Sequence, residues 1–184
     1  MSFDNDNWTK EKASEFAMQI SLRLVSSKYR AVSGYGLGIG SAVITGALSA
    51  IKEKKYMHVD EYLKLYPFPQ PKPGEDIKAI WTFYRQEMLH DCGVAVFMFG
   101  NKVDANGNAV IASGMMEEFL IAKKNGARII PIASTGDAAE HIYNAISMSP
   151  DEYPYLSEYW DLLKVERDPE KVAQTIKSIA QVEL

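Results

Sequence analysis

The sequence predicts an α/β fold, an open, mainly parallel sheet with helices on both faces. Three observations carry this. Strand-like and helix-like segments alternate along the chain. Two strand-like segments, "GVAVFMFG" (93–100) and "ARIIPIAS" (127–134), are apolar throughout, as strands buried on both faces are. A glycine run, "SGYGLGIG" (33–40), stands where a strand passes into a helix. One domain over residues 1–184 accommodates all of this.

From Thr9 to about Ser26 the apolar residues Ala13, Phe16, Ala17, Ile20 and Leu24 recur at helical spacing. "YRAVS" (29–33) reads as a short strand leading into the glycines. Helical spacing resumes at Ser41 and runs through Val43, Ile44, Ala47, Leu48 and Ile51 to "KEKK". "YLKLYPF" (62–68) reads as a strand stopped by a Pro-rich turn. Glu75 to about His90 reads as a helix with Ile77, Ile80, Trp81, Tyr84 and Met88 on one side. Residues 101–113 read as a polar loop, and Gly114 to Asn125 as a helix closed by Gly126 at its C′ position. Glu117 and Glu118 then fall in that helix's first turn, where acids commonly serve only to stabilise a helix. "TGDAAEHIYNAIS" reads as the next helix, and Asp168 with Pro169 opens the last one.

Composition narrows the function classes. Twenty basic residues face 24 acidic ones, net charge −4, with a pI of about 5.4. A duplex nucleic-acid groove would show the opposite bias, so no nucleic-acid partner is expected and an anion must be held by a few aimed groups. No apolar run is long enough for a bilayer span, so no membrane partner is expected. The polar "MSFDNDNWTKEK" lacks a signal peptide's apolar core. The lone Cys92 argues for a reducing compartment, and a cytoplasmic location is expected.

In parallel sheets ligands bind at the carboxyl ends of strands, where the glycine run, "GNK" and "STGD" all fall. A glycine-rich turn opening a helix presents N–H groups at its positive end and suits phosphate. Gly36, Leu37, Gly38 and Gly40 would let the backbone approach, with Ser41 adding a hydroxyl. The run is G-x-G-x-G-x-G rather than the dinucleotide G-x-G-x-x-G, no acid ends the second strand, and G-K-[ST] is absent. An ordinary NAD or ATP site is therefore not supported. Arg85 on the helix before the third strand and Lys102 just after it are candidate anion-binding cations. As long side chains on a helix face and at a strand end, they are expected to add little to a core. His58, His90 and His141 show no metal spacing and Cys92 has no partner base, so all four read as structural.

The ordered motifs "SGYGLGIGSAVI", "YRQEM", "GVAVFMFGNK" and "GMMEEFLIAKKNGARIIPIASTG" together resemble the SLOG superfamily of Rossmann-like nucleotide-binding domains. They are most similar to the SLOG sensor domains of Thoeris anti-phage effectors, from about residue 10 to the end. The resemblance implies a sensor that is not itself an enzyme. In that family a TIR-domain partner makes a cyclic ADP-ribose isomer, the SLOG domain binds it, and a sirtuin-like domain then destroys NAD. That sirtuin-like domain is not expected within this chain. The ligand-gripping basic residues match Arg85 and Lys102, the helix-start acid matches Glu117, and the phosphate-facing turn matches the glycine run. Asn101, Ser113 and Gly114 complete the expected ligand-binding set, with no catalytic residue, no metal and no cofactor beyond the cyclic ADP-ribose isomer as ligand. The resemblance also implies a homodimer or homotetramer. The alternative within the superfamily is a Lonely-guy-like nucleoside monophosphate phosphoribohydrolase. Here "VIASGMMEEF" keeps the paired acids of that motif but not its P-G-G or its Thr.

Overall fold

The alternation of strand and helix is realised, and its strands pair in parallel where the apolar runs require it. A computed structural model describes residues 7–36, 38–70 and 72–182. Along them run α1 (Lys10–Ser26), β1 (Ala31–Ser33), α2 (Gly40–Glu53), α3 (Val59–Tyr62), β2 (Leu63–Leu65), α4 (Ile77–Leu89) and β3 (Val94–Phe97). There follow β4 (Asn101–Val103), β5 (Ala109–Ile111), α5 (Ser113–Lys124), β6 (Arg128–Pro131), α6 (Asp137–Ser147), α7 (Trp160–Val165) and α8 (Pro169–Gln181). The chain is of the Rossmann-like α/β class. β1 pairs with β2 in parallel, Ala31 opposite Leu63, and β3 pairs with β6 in parallel, Val94 opposite Arg128.

The β3–β6 pair lies at the centre of the main core. Ile129 and Ile130 are fully buried, and so are Ile132, Ile142, Leu156, Leu163 and Ile179 from the segments around them. Each such side chain contributes about 1.5–3 kcal/mol when taken out of water. Phe119 of α5 meets Phe97 edge-on at 6.1 Å, while Trp8, Phe16 and Phe99 form a second aromatic cluster toward α1. Near α8, Arg128 donates to the carbonyls of Ile179 and Val182, tying β6 to the last helix. α1 and α2 approach closely because Gly46 has no side chain. A Cβ there would overlap the Met18 carbonyl oxygen.

Helix boundaries follow their caps. Thr9 accepts from Lys12 N, Asp76 from Lys78 N and Ala79 N, and Asp168 from Glu170 N and Lys171 N with Pro169 next. Gly126, at φ +76°, follows α5 as expected. Among the described residues no helix is long and apolar enough to cross a membrane.

Two local expectations are corrected. Residues 101–113 are not a plain loop: β4 and β5 form an antiparallel hairpin, Lys102 opposite Val110. Its turn is held by Asp104, whose side chain accepts from Asn106 N and Asn108 N. The "NGN" of the turn carries that signal, but the flanking strands are short and exposed, so no apolar alternation announces them. The segment 62–68 is strand only over Leu63–Leu65, because the short α3 takes Tyr62 and prolines follow.

Candidate functional site

The site assembles at the carboxyl end of β3. Phe99 leaves the strand at φ +60°, its N–H held by the buried Thr135 hydroxyl at 2.7 Å, which in turn donates to the Ile132 carbonyl. Gly100 follows, the hairpin makes its excursion, and Ala112 N returns to the Gly100 carbonyl at 2.8 Å. α5 begins at the next residue. Hairpin base, strand end and helix N-terminus are thus fastened together by backbone bonds.

Helix caps divide into two groups. Among the helices of eight residues or more, α1, α4 and α8 carry capping side chains, whereas α2, α5 and α6 have none at Ile39, Ala112 and Gly136. The uncapped α2, α5 and α6 follow β1, β5 and β6, whereas α4, which follows β2, is capped by Asp76. The first N–H groups of the uncapped three have no side-chain acceptor, and with the helix dipole they favour an anion.

Arg85 is buried, 9% exposed, against the expectation that it adds little to the interior. Its Nη1 donates to Glu117 Oε2 at 3.0 Å, and its Nε stands 3.4 Å from Glu118 Oε1. The guanidinium lies 5.1 Å over the Phe68 ring centroid. On its remaining side it packs on Gly114, where a Cβ would come within 2.5 Å of Nη2. Glu117 is held a second time, by the Thr82 hydroxyl. Both acids sit in the second turn of α5 rather than the first, because the helix starts at Ser113. Helix α4 therefore meets them through side chains rather than through the dipole. Burial raises the Glu118 carboxyl to about 6, an effect that Arg85 partly offsets.

Lys102 is exposed on β4 and donates from Nζ to Ser113 Oγ at 3.0 Å. Arg85 and Lys102 therefore reach the same helix start, one against Gly114 and the other on Ser113. Asn101 points its amide to Asp137 Oδ2 at 2.9 Å, toward the start of α6.

The glycine run divides by cause. Gly38 has φ +100°, a conformation for which glycine is suited. Gly40 sits 3.1 Å, measured from a Cβ built on it, from the Tyr35 backbone, and at Gly36 such a Cβ would meet nothing. Ser41 is exposed as the second residue of α2. Leu37 lies outside the described residues. Gly34 connects the run to the site: a Cβ there would press on the Phe68 ring at 2.8 Å and on Met88 Sδ at 3.3 Å. Phe68 thus touches both the start of the glycine turn and Arg85.

Phe68, Thr82 and Thr135 escaped sequence reasoning, and Glu118 reads there only as an acid near a helix start. Of the three missed, only Phe68, an aromatic set between two prolines, carried a local signal. Cys92 is partly buried with its thiol raised by burial, as a structural cysteine should be. Among the described residues no group of His, Cys, Asp and Glu is placed to hold a metal.

Comparison with known proteins agrees with this architecture. The model of the Sir2- and TIR-associating SLOG family matches residues 2–183. The chain is 36% identical over 148 residues to the NAD(+) hydrolase ThsA of Bacillus cereus (strain MSX-D12), covering 80% of this chain and 30% of that protein. To the NAD(+) hydrolase ThsA of Acinetobacter baumannii (strain 532279) it is 34% identical over 189 residues, 96% of this chain and 39% of that one. To that of Enterococcus faecium it is 31% identical over 181 residues, 95% and 37% respectively. The chain therefore spans well under half the length of these relatives. The match runs through nearly every element from α1 to α8, and the chain belongs to the Sir2- and TIR-associating SLOG family.

Proposed function

We propose that this domain is the ligand sensor of a ThsA-type NAD(+)-hydrolysing effector. It binds a cyclic ADP-ribose isomer made by a TIR-domain partner, and binding switches on a sirtuin-like domain in a Thoeris anti-phage system. The observation that carries this reading is the convergence of Arg85 and Lys102 on Gly114 and Ser113 at the uncapped start of α5. A pyrophosphate needs such a set: helix N–H groups, a fork-shaped guanidinium and a mobile ammonium. Glu117, close by, has the acceptor oxygens that ribose hydroxyls require. Asn101 and the turn at Gly36, Gly38, Gly40 and Ser41 would border the rest of the ligand. The family's association with Sir2 and TIR domains supports the two partners, and the activity for which the relatives are named supports the NAD(+)-hydrolysing output. Assembly as a homodimer or homotetramer belongs to the same proposal.

Thermal shift against ADP-ribose, cyclic ADP-ribose and its glycocyclic isomers tests it. A ligand at about 100 times its dissociation constant should add ~2.7 kcal/mol to folded-state stability. A panel in which no cyclic isomer shifts the melting temperature would overturn the reading. The paired acids around Arg85 are also the groups that glycosidic hydrolysis uses, and release of adenine from AMP by the purified chain would favour a phosphoribohydrolase instead.

A further inference from the structure

We propose that Glu118 is a charge-coupled partner of Arg85, and that an anionic ligand enters this site together with a proton taken up by Glu118. The identity of the ligand rests on the reading above; the coupling between the two side chains does not.

One buried guanidinium is shared by two carboxylates on adjacent residues of α5, Nη1 on Glu117 and Nε facing Glu118. Phe68 covers one face and Gly114 closes the Nη2 side, so Arg85 has little room to swing away. The two acids are not equivalent. Glu117 accepts a hydrogen bond from Arg85 and another from Thr82, which uses both of its oxygens. Glu118 lies 3.4 Å from an Nε that is buried without a hydrogen-bond partner, a charge contact without a formed bond. Glu117 is the anchor and Glu118 the looser acid.

Charge then decides the direction. Arg85 and Lys102 balance Glu117 and Glu118, so the unliganded site is neutral, whereas a doubly esterified pyrophosphate brings two negative charges. Protonating Glu118 leaves Arg85 anchored by Glu117 and gives the site a net positive charge. The burial that already raises the Glu118 carboxyl to about 6 acts in the same direction, and an arriving anion would raise it further. Few other groups intervene. On α4 the facing charge is Arg85 and on α5 it is Glu117. β3 carries no charged side chain, and Arg128 of β6 turns to α8 carbonyls. On α6, Asp137 is bonded by Asn101, while Glu140 and His141 are exposed.

The test uses calorimetry with cyclic ADP-ribose and its glycocyclic isomers, in buffers of different ionisation enthalpy, on the parent and on Glu118→Gln. Gln keeps the shape and mimics the protonated acid. The parent should take up close to one proton at pH ~7.5, and its affinity should rise up to about tenfold per pH unit as the pH falls toward ~6. Glu118→Gln should take up none and bind with a flat profile over that range. Equal proton uptake in both proteins, or none in the parent, overturns the proposal. A second measurement needs no ligand: the side-chain Nε–H resonance of Arg85, assigned with Arg85→Lys, should titrate near pH ~6 in the parent and lose that step in Glu118→Gln. If the panel binds nothing while this step is present, the ligand reading fails and the coupling stands. If the step is absent, the coupling is wrong.

Discussion

Arg85 Nη1 and Glu117 Oε2 stand 3.0 Å apart and join α4 to α5 at the carboxyl end of the sheet. This contact gives Arg85 a structural role beside the binding role proposed for it. The charge is desolvated, held by carboxylates and covered by an aromatic ring, so removing it leaves two acids facing each other across the space it occupied.

Arg85→Ala should therefore lower folding stability as well as binding. A fully buried pair broken on one side costs ~3–5 kcal/mol. Glu117 and Glu118 keep 29% and 25% of their side-chain surface, so about 2–3 kcal/mol is expected here. Denaturant unfolding checks this. Arg85→Lys should recover part of the stability but little of the binding, because one ammonium cannot serve both acids and a pyrophosphate. An Arg85→Ala protein as stable as the parent would contradict the buried clasp.

Lys102→Ala should separate the two effects. Its ammonium is exposed and its bond to Ser113 lies on the surface, where such contacts are worth ~0–1 kcal/mol. The melting temperature should stay put while affinity for a cyclic ADP-ribose isomer falls by about tenfold or more. The parent's affinity should also weaken with salt more steeply than the variant's. Calorimetry at two ionic strengths is the measurement.

Gly114→Ala tests geometry without touching charge. The added methyl would stand 2.5 Å from Arg85 Nη2, and Arg85 is pinned on its other sides. Near the start of α5 alanine is otherwise tolerated. The variant should fold, with a loss of no more than ~1–2 kcal/mol, yet bind at least about fivefold more weakly because the guanidinium is displaced. Binding equal to the parent would mean that Arg85 does not meet the ligand from this position.

The stability of Glu118→Gln should depend on pH in a defined direction. The folded carboxyl is raised from 4.5 to about 6. Its contribution is therefore fully present below the unfolded value and lost as pH rises through about 6. A shift of this size is worth ~2 kcal/mol at most, and about 1 kcal/mol after allowing for the quarter of the side chain that water reaches. Glu118→Gln should be more stable than the parent by roughly that amount at pH ~7.5 and nearly equal to it at pH ~4. Urea titrations at the two pH values decide it, and a variant less stable than the parent at the higher pH would contradict the assigned cause.

The sequence by itself determined the order of the longer helices and of the parallel-pairing strands, the apolar β3 and β6, the Asp168–Pro169 start of α8 and the Gly126 stop of α5. These rest on periodicity and capping, which act within one or two turns of chain. It also marked Arg85, Lys102 and Glu117, because their motifs stand in a recognisable order. Only the tertiary structure decided how they are used. Arg85 and Glu117 lie 32 residues apart, and whether that arginine reaches water or two carboxylates depends on how α4 settles on α5. Phe68 reaches Gly34 and Arg85 from a segment that local pattern describes only as a turn. The hairpin of β4 and β5 was hidden for a related reason: its faces are exposed, so burial leaves no alternation in its residues, and its pairing follows from the Gly100–Ala112 closure beneath it.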